Sequence, residues 1–193
     1  MKYPVIESFY SLQGEGVYLG TPAYFIRFGG CNLRCDWCDT TESWDQEKVT
    51  EMKLTDLVKD IPCKRVVLTG GEPTLQSLAP LISELKHKGH EVAIETNGTR
   101  AIPADWKLDW VTVSPKPDSG YEVKCRADEL KYVVDDNLSL EYIAWNRVTE
   151  GRIFLQIEGG KESSAKKAMK WILENPEKNL RLGIQLHKIM DFR

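Results

Sequence analysis

Short apolar runs recur along the chain, rich in β-branched residues and bounded by Gly, Pro or Asn. Runs of this length and composition are typical of β-strands. We predict seven such strands, at residues 23–28, 65–69, 91–95, 109–114, 130–134, 152–157 and 180–186.

Between the strands, apolar residues recur three or four positions apart, a spacing that places them on one face of a helix. The apolar positions are Leu75, Leu78, Ile82 and Leu85 in a first helix and Ala165, Ala168, Met169 and Ile172 in a second. Gly89 is placed to end the first helix. Ser163 or Ser164 is the predicted cap of the second, and Pro176 ends it. A third, shorter helix is predicted at residues 54–61.

Strands that alternate with helices predict βα units and an α/β fold with a mostly parallel sheet. A closed eight-stranded barrel usually needs about 250 residues, and the chain has 193. We therefore expect a partial, open barrel of about six parallel strands with reduced helices. The polar segment 115–129 indicates that one crossover is a loop. No repeat or linker divides the chain, so residues 1–193 are predicted to form a single domain.

The charge, the apolar runs and the cysteine count exclude several classes of protein. The net charge of −3 and the pI near 5.7 argue against nucleic-acid binding through a broad basic face. No apolar run approaches the length of a membrane span, and the first residues lack the apolar stretch of a signal peptide. We therefore expect a cytoplasmic protein. Five cysteines are too few and too odd in number for a disulfide scaffold, so clustered cysteines there indicate metal or redox chemistry.

Unusual sequences follow four consecutive strands. They are GGCNLRC after residues 23–28, GGEP after 65–69, TNGT after 91–95 and PKP after 109–114. In parallel βα folds the functional site lies at the carboxyl ends of the strands. The four polar loops are therefore predicted to form one composite site.

Cys31, Cys35 and Cys38 form a C-x₃-C-x₂-C motif. Three thiolates so close in sequence are usually ligands of a soft metal centre. Structural zinc takes four protein ligands, and Cys63 or His87 could supply the fourth, although neither belongs to a paired motif. A four-iron cluster held by three cysteines keeps one iron open for a small molecule. The spacing favours an iron–sulfur cluster and leaves zinc as the alternative.

This motif resembles that of the radical S-adenosylmethionine superfamily, in which an aromatic residue such as Trp37 precedes the third cysteine and a GGE motif like residues 70–72 follows a strand. Within the superfamily the chain resembles the 7-carboxy-7-deazaguanine synthase family of queuosine and deazapurine biosynthesis. The resemblance rests on SLQGEG at 11–16, AYFIRFGGCNLRCDWCDT, TGGEP, ETNG, SPK and the terminal QLHK at 185–188. It extends from residue 4 to the last few residues.

The resemblance implies a lyase that converts 6-carboxy-5,6,7,8-tetrahydropterin to 7-carboxy-7-deazaguanine with loss of ammonia. By this resemblance Cys31, Cys35 and Cys38 hold a [4Fe–4S] cluster, within a cluster loop at 29–41. The open iron binds S-adenosylmethionine, whose reductive cleavage gives a 5′-deoxyadenosyl radical, and the cofactor is regenerated after each turnover. Thr40 is the implied ligand of a Mg²⁺ ion that bridges to the substrate carboxylate.

The resemblance also assigns binding residues. The N-terminal segment 8–16 is expected to bind substrate, and the substrate-binding residues are Leu12, Gln13, Gly14, Glu15, Arg27, Thr69 and Asn97. The S-adenosylmethionine site comprises Asp36, Trp37, Cys38, Asp39, Gly71, Glu95, Ser114, Pro115, Lys116 and Gln156.

For three candidate residues the residue type itself suggests a role. The carboxylate of Glu15 can accept two hydrogen bonds from the edge of a pterin. Arg27 lies inside an apolar strand, where a charge needs a partner, either the substrate carboxylate or an internal ion pair. His187 is a candidate acid or base for the loss of ammonia.

Two other functions stay open from sequence: an activase of a glycyl-radical enzyme, and a non-enzymatic zinc-binding module. The family resemblance implies a homodimer. Residues 41–53 are interpreted as a short acidic loop, a candidate docking face for an electron donor such as flavodoxin. No nucleic-acid or membrane partner is expected. Cys63 and Cys125 are interpreted as ordinary buried thiols.

Overall fold

A computed structural model of the chain describes residues 1–192, and position 193, the end of the predicted domain, lies outside the described residues. The strands are β1 (Lys2–Leu12), β2 (Pro22–Phe28), β3 (Thr50–Lys53), β4 (Arg65–Gly70), β5 (Glu91–Thr96), β6 (Trp110–Val113), β7 (Glu129–Val134), β8 (Ile153–Ile157) and β9 (Arg181–Gly183). They form one sheet in the order β3-β1-β2-β4-β5-β6-β7-β8-β9.

The central and longest part of this sheet is parallel. β2 pairs in parallel with β4, and each following strand pairs in parallel with the next as far as β9. β3 and β9 are the two edges, so the sheet does not close on itself. The predicted open α/β barrel is confirmed, with seven parallel strands where about six were expected.

Four helices accompany the sheet: α1 (Leu54–Leu57), α2 (Ala79–His87), α3 (Glu162–Glu174) and α4 (Leu186–Met190). Residues 115–129 contain a single 3₁₀ turn, at Pro117–Ser119, which confirms that this crossover is a loop. Within residues 1–192 we find no helix whose length and apolar character would let it cross a membrane.

The predicted strands are mostly right, with three errors. β1 and β3 were missed, because both are half-exposed strands at an antiparallel edge and their residues lack a continuous apolar run. β3 occupies part of segment 41–53, which was interpreted as a loop. The last predicted strand, 180–186, is wrong beyond Gly183, because α4 begins at Leu186.

Two of the predicted helices are too long, and the helix at Glu162–Glu174 begins earlier than predicted. Leu75 lies in a 3₁₀ turn that begins at Pro73, and α2 starts only at Ala79. Neither Ser163 nor Ser164 caps α3, because the cap position is Lys161. Ser164 instead accepts a hydrogen bond from the backbone N–H of Glu158 at 2.9 Å. The third helix ends at Leu57, ahead of Asp60, whose φ of 54° is not helical.

Alternation along each parallel strand divides the core into an outer and an inner layer, because successive side chains point to opposite faces. In β4, Val66 and Leu68 belong to the large outer core that the helices cover. Val67 belongs to a small inner cluster with Ala23, Phe25, Ala93 and Trp110. The inner face is therefore only partly filled by apolar side chains, which leaves room for a site.

The loop between β1 and β2 fills the amino-terminal end of this inner face. The ring of Tyr18 packs edge-on against Trp110 with 4.8 Å between centroids. The guanidinium of Arg65 lies 3.5 Å from the centroid of the same tyrosine ring. An extended guanidinium–aromatic stack of this kind holds the loop against the starts of β4 and β6.

We predict that Leu68→Ala lowers the free energy of unfolding by about 3 kcal/mol, because Leu68 is fully buried and its truncation leaves a cavity. Urea unfolding monitored by circular dichroism measures the loss. The control is Leu173→Ala, at a position that is 79% exposed, where we expect a change within about 0.5 kcal/mol. Equal losses in both variants would contradict the assignment of the outer core.

Candidate active site

One cavity of about 890 Å³ opens at the carboxyl ends of the parallel strands. Of the site residues predicted from the sequence, all except Pro115 line it. Strands supply Thr69, Glu95 and Gln156, and the loops that follow β2, β4 and β6 supply most of the rest. The prediction that the polar loops share one rim is confirmed.

The three cysteines of the motif face this cavity. Burial raises the pKa of the Cys35 thiol to about 11, with Lys116 opposing the shift and Asp118, Cys31 and Cys38 adding to it. Burial also raises the pKa of Cys31. Thiols bind metals as thiolates, so binding of a metal at these cysteines would release their protons.

The three cysteines lie close enough to act together. They share one cavity and influence one another's charge. In residues 1–192, no three His, Cys, Asp or Glu side chains are grouped to hold a single ion. Three cysteines on one cavity match the three thiolates that hold a four-iron cluster with one open iron.

The GGE motif is a turn that brings β4 against the cluster loop. Gly70 has a φ of +135°, and a Cβ on Gly71 would lie 2.1 Å from the carbonyl oxygen of Gly30. No other residue fits this close approach of two backbones. The N–H of Glu72 then donates to Gly30 O at 2.8 Å. Glycine is needed in the motif so that the GGE turn and the cluster loop touch.

The carboxylate of Glu72 is fully buried and holds the turn to the end of β5. It accepts hydrogen bonds from Thr74 N at 2.9 Å, Thr74 Oγ1 at 2.5 Å, Thr96 Oγ1 at 2.8 Å and Asn97 N at 2.7 Å. Four donors satisfy a buried carboxylate that would otherwise be costly. Glu72 is thus a structural element of the motif.

Asn97 connects the same region to the cluster loop. Its Nδ2 donates to Asn32 Oδ1 at 3.0 Å, and its Oδ1 accepts from Thr99 Oγ1 at 2.7 Å. Both ends of the amide are therefore engaged within the protein. Asn97 lines the cavity as predicted, and its contacts here order the loops.

A buried ion pair lies between the β1–β2 loop and β7. Glu15 and Lys131 are in direct contact, and their side chains are 12% and 13% exposed. Burial opposes the charge of Glu15, yet the attraction and hydrogen bond of Lys131, with a hydrogen bond from Gln185, lower its pKa overall. Burial likewise opposes the charge of Lys131, and the surrounding glutamates raise its pKa overall.

Lys131 was missed by the sequence analysis. The available signal was a charge inside an apolar strand, LKYVV, which is the argument that singled out Arg27. Arg27 itself forms the internal ion pair that was one of its two alternatives, with 2.8 Å between Nε and Glu7 Oε1. Its Nη1 also donates to Thr40 Oγ1 at 3.5 Å, which links β2 to the cluster loop.

Glu95 organises two further predicted substrate residues. Its Oε1 accepts from Gln13 Nε2 at 2.8 Å, and its Oε2 accepts from Thr69 Oγ1 at 3.1 Å. The two oxygens of one carboxylate thus align the β1–β2 loop with the end of β4. This arrangement places Gln13, Thr69 and Glu95 side by side on the cavity wall.

The loop after β6 borders the cluster loop. Lys116 Nζ donates to Ser114 Oγ at 2.6 Å and lies 4.9 Å from the ring centroid of Trp37. Trp37 Nε1 in turn donates to Asp135 Oδ2 at 2.8 Å. Burial, followed by the charge of Lys131, lowers the pKa of Lys116. Lys116 therefore connects the loop after β6 to the aromatic residue of the cluster loop.

The C-terminal segment closes the remaining side. A Cβ on Gly14 would lie 2.3 Å from His187 Nδ1, so the absence of a side chain at Gly14 admits the histidine. Gln185 and Lys188 also line the cavity, and neither was given a role by the sequence analysis. The available signal was the polar side chain of Gln185 in the predicted strand 180–186; for Lys188 it was its place in the terminal QLHK motif.

Gln156 offers a polar atom to a ligand. The residue is 3% exposed, and within residues 1–192 its Oε1 has no hydrogen-bond partner. A buried acceptor without a donor is unfavourable by about 1–3 kcal/mol. Its position on the cavity wall means that a bound molecule with an N–H or O–H group can satisfy it.

Comparisons with known proteins agree with this geometry. The model of the Radical SAM superfamily matches residues 25–123. A 7-carboxy-7-deazaguanine synthase of Synechocystis sp. is 35% identical, covering 100% of this chain and 95% of that protein. One of Bacteroides thetaiotaomicron is 38% identical over 100% of both chains. The crystal structure of QueE from Escherichia coli matches with a TM-score of 0.76 and 30% identity, over 97% of this chain and 95% of that one.

We predict that Lys131→Met lowers the free energy of unfolding by about 3–5 kcal/mol, because it leaves Glu15 buried without its counter-charge. Adding Glu15→Gln is expected to recover most of this loss. Urea unfolding of the wild type, Lys131→Met and the double variant under reducing conditions measures both effects.

The matched control for this cycle is Lys166→Met, which breaks an i,i+4 pair with Glu162 whose side chains are 70% and 81% exposed. We expect a change of about 0.5 kcal/mol there. A loss in Lys131→Met no larger than in the control, or no recovery in the double variant, would show that the pair does not hold the loop.

Proposed function

Because the chain belongs to the 7-carboxy-7-deazaguanine synthase family of radical S-adenosylmethionine enzymes, we propose the roles of its individual site residues on that premise. The enzyme is a lyase that forms 7-carboxy-7-deazaguanine from 6-carboxy-5,6,7,8-tetrahydropterin with release of ammonia. The observation that carries this function is the convergence of the three motif cysteines, the GGE turn and the LQGEG loop on one cavity.

Cys31, Cys35 and Cys38 would hold the [4Fe–4S] cluster at the mouth of this cavity. When bound, the cluster and S-adenosylmethionine supply the radical that starts the reaction by removing a hydrogen atom from C6 of the substrate. The chain's own contribution is to hold the two reacting molecules in a fixed relation and to exclude water.

The S-adenosylmethionine site is proposed along the cluster loop and the ends of the central strands. Gly71 gives the close backbone approach, and Ser114, Pro115 and Lys116 border the same region. Asp36, Trp37, Cys38 and Asp39 supply the cluster-loop side, and Glu95 the β5 side. Gln156 supports this placement, because its unpaired Oε1 suits an N–H donor of the cofactor. Loss of cofactor affinity in Gln156→Leu, measured by equilibrium dialysis, tests this assignment.

The substrate site is proposed beside it, along the β1–β2 loop and the ends of β2, β4 and β5. Glu15 retains acceptor capacity, because each carboxylate oxygen can take a second hydrogen bond beyond those of Lys131 and Gln185. It thereby suits the N–H edge of the pterin. Arg27 is proposed to bind the substrate carboxylate while Glu7 holds its Nε. Leu12, Gln13, Gly14, Thr69 and Asn97 complete the site.

His187 is proposed as the acid that assists loss of ammonia. It lies against Gly14 of the substrate loop and lines the cavity. A His187→Gln variant that kept the wild-type rate across the pH range would contradict this role.

We predict that anaerobically reconstituted protein forms 7-carboxy-7-deazaguanine from 6-carboxytetrahydropterin, S-adenosylmethionine, dithionite and Mg²⁺. Cys35→Ala is expected to abolish both product and the cluster absorption near 400 nm. Cys63→Ala is the matched control, because Cys63 lies outside the cavity and its thiol donates to Arg65 O. Liquid chromatography with mass detection measures the product.

Two failures of this assay have distinct meanings. Cleavage of S-adenosylmethionine without deazaguanine would overturn the substrate assignment and favour a glycyl-radical activase. A colourless protein that binds only zinc would overturn the radical chemistry altogether.

We propose Mg²⁺ as a further cofactor, bound through Thr40 Oγ1 and the substrate carboxylate. Thr40 lies beside Arg27 and Asp39 at the cavity wall, and hydroxyl and carboxylate oxygens suit this hard cation. We predict that Thr40→Ala loses the stimulation by Mg²⁺, with product formation about tenfold lower, equal to that of wild type in EDTA. Thr41→Ala, at the next and exposed position, is expected to keep the stimulation.

The homodimer, the flavodoxin donor and the cytoplasmic location are proposals that rest on the family. Three free thiols at the cavity favour a reducing compartment. Light scattering tests the dimer, cell fractionation tests the location, and turnover with reduced flavodoxin in place of dithionite tests the donor.

A further inference from the structure

The side chain of one glutamine, Gln185, connects two loops that line the cavity. Gln185 Nε2 donates to Glu15 Oε1 at 2.8 Å and to Asp39 Oδ2 at 3.0 Å. Glu15 belongs to the loop proposed to bind substrate, and Asp39 directly follows the last cysteine of the cluster loop. A single amide group therefore bridges carboxylates from two loops that lie far apart in sequence.

Neighbouring residues reinforce this bridge. Lys188 Nζ donates to Asp39 Oδ2 at 2.9 Å and to Gln185 Oε1 at 2.8 Å. The backbone N–H of Leu186 donates to Gly14 O at 2.9 Å. We call residues 185–188 the C-terminal strap. It is tied to the substrate loop on one side and to the cluster loop on the other.

The donors of the strap are matched in charge to the two carboxylates that they bind. Asp39 and Glu15 carry negative charge, and between them stand a neutral amide donor and the ammonium of Lys188. Hydrogen bonds to ionised carboxylates are stronger than those between neutral groups. The strap thus holds together two acidic side chains that would otherwise repel each other.

The distance between the two loops matters for the proposed reaction. The radical and the carbon it attacks must meet in a narrow range of positions, and a misplacement of about 1 Å can lower a rate 100-fold. A radical that misses its target is quenched by another hydrogen donor, and free 5′-deoxyadenosine is then released without product. The ratio of the two compounds reports on alignment.

We propose that Gln185 is a positioning residue that couples radical formation to substrate conversion by holding the Glu15 loop at a fixed distance from the cluster loop. This inference rests on the proposed function. It assigns no step of the chemistry to Gln185 itself.

The test measures product formed per 5′-deoxyadenosine released in Gln185→Met, which keeps the length of the side chain and removes its three hydrogen bonds, to Glu15, Asp39 and Lys188. We expect this ratio to fall about tenfold, the effect of losing hydrogen bonds to charged groups. The cluster absorption and the affinity for S-adenosylmethionine are expected to stay at wild-type values. Thermal unfolding checks that the fold is intact.

Lys188→Met is a second variant in case Gln185→Met fails to fold, since Lys188 is 43% exposed. It is expected to lower the same ratio by a smaller factor. The matched control is Ile189→Ala, on the same helix, 65% exposed and outside the cavity wall, which is expected to keep the wild-type ratio.

The outcomes distinguish a failure of the proposed function from a failure of the coupling role of Gln185. If the wild-type protein forms no deazaguanine, the proposed function is wrong. If the wild type is active and the ratio in Gln185→Met and Lys188→Met stays within twofold of wild type, the coupling role is wrong. If the ratio falls as far in Ile189→Ala as in Gln185→Met, any disturbance of this helix lowers the ratio, and the coupling role of Gln185 is again wrong.

Discussion

The buried ion pair between Glu15 and Lys131 is the interaction on which the arrangement of the cavity depends. An open parallel sheet of this size leaves the inner face of its strands uncovered. The β1–β2 loop enters that space, and a charged side chain from the loop meets a charged side chain from β7. Because neither charge tolerates burial alone, each residue fixes the place of the other. Gln13 and Gln185 then connect this pair to β5 and to the C-terminal segment.

The motifs of the chain serve structure and chemistry at once. Gly70 and Gly71 allow the turn after β4 to touch the backbone of the cluster loop. The carboxylate of Glu72 is buried in the protein and accepts hydrogen bonds from Thr74 in its own turn and from Thr96 and Asn97 at the end of β5. The two loops closest to the proposed cofactor are therefore built on a rigid support. Preorganisation of this kind is what a reaction with a highly reactive intermediate requires.

Some elements were foreseen because their signal is local. The buried parallel strands are visible in the sequence as apolar runs. β4 to β8 begin and end close to the predicted positions. β1 and β3 carry no such signal, because both are half-exposed strands in the antiparallel end of the sheet and owe their conformation to pairing with neighbouring strands. The end of β9 was misplaced for a related reason. The chain leaves the sheet after Gly183. Gln185 and Lys188 then bind the carboxylates of Glu15 and Asp39, which are distant in sequence.

Sequence alone was sufficient for the fold class, the cysteine set and the rim of loops, since these follow from local periodicity and from the direction of parallel strands. It also indicated that Arg27 needs a partner. It did not show that the partner is Glu7, that Lys131 pairs with Glu15, or that Asn97 and Glu72 hold loops together. Such pairings join residues that are distant along the chain. They are determined by which side chains the folded sheet brings within a few ångströms, where burial makes an unpaired charge or amide unfavourable.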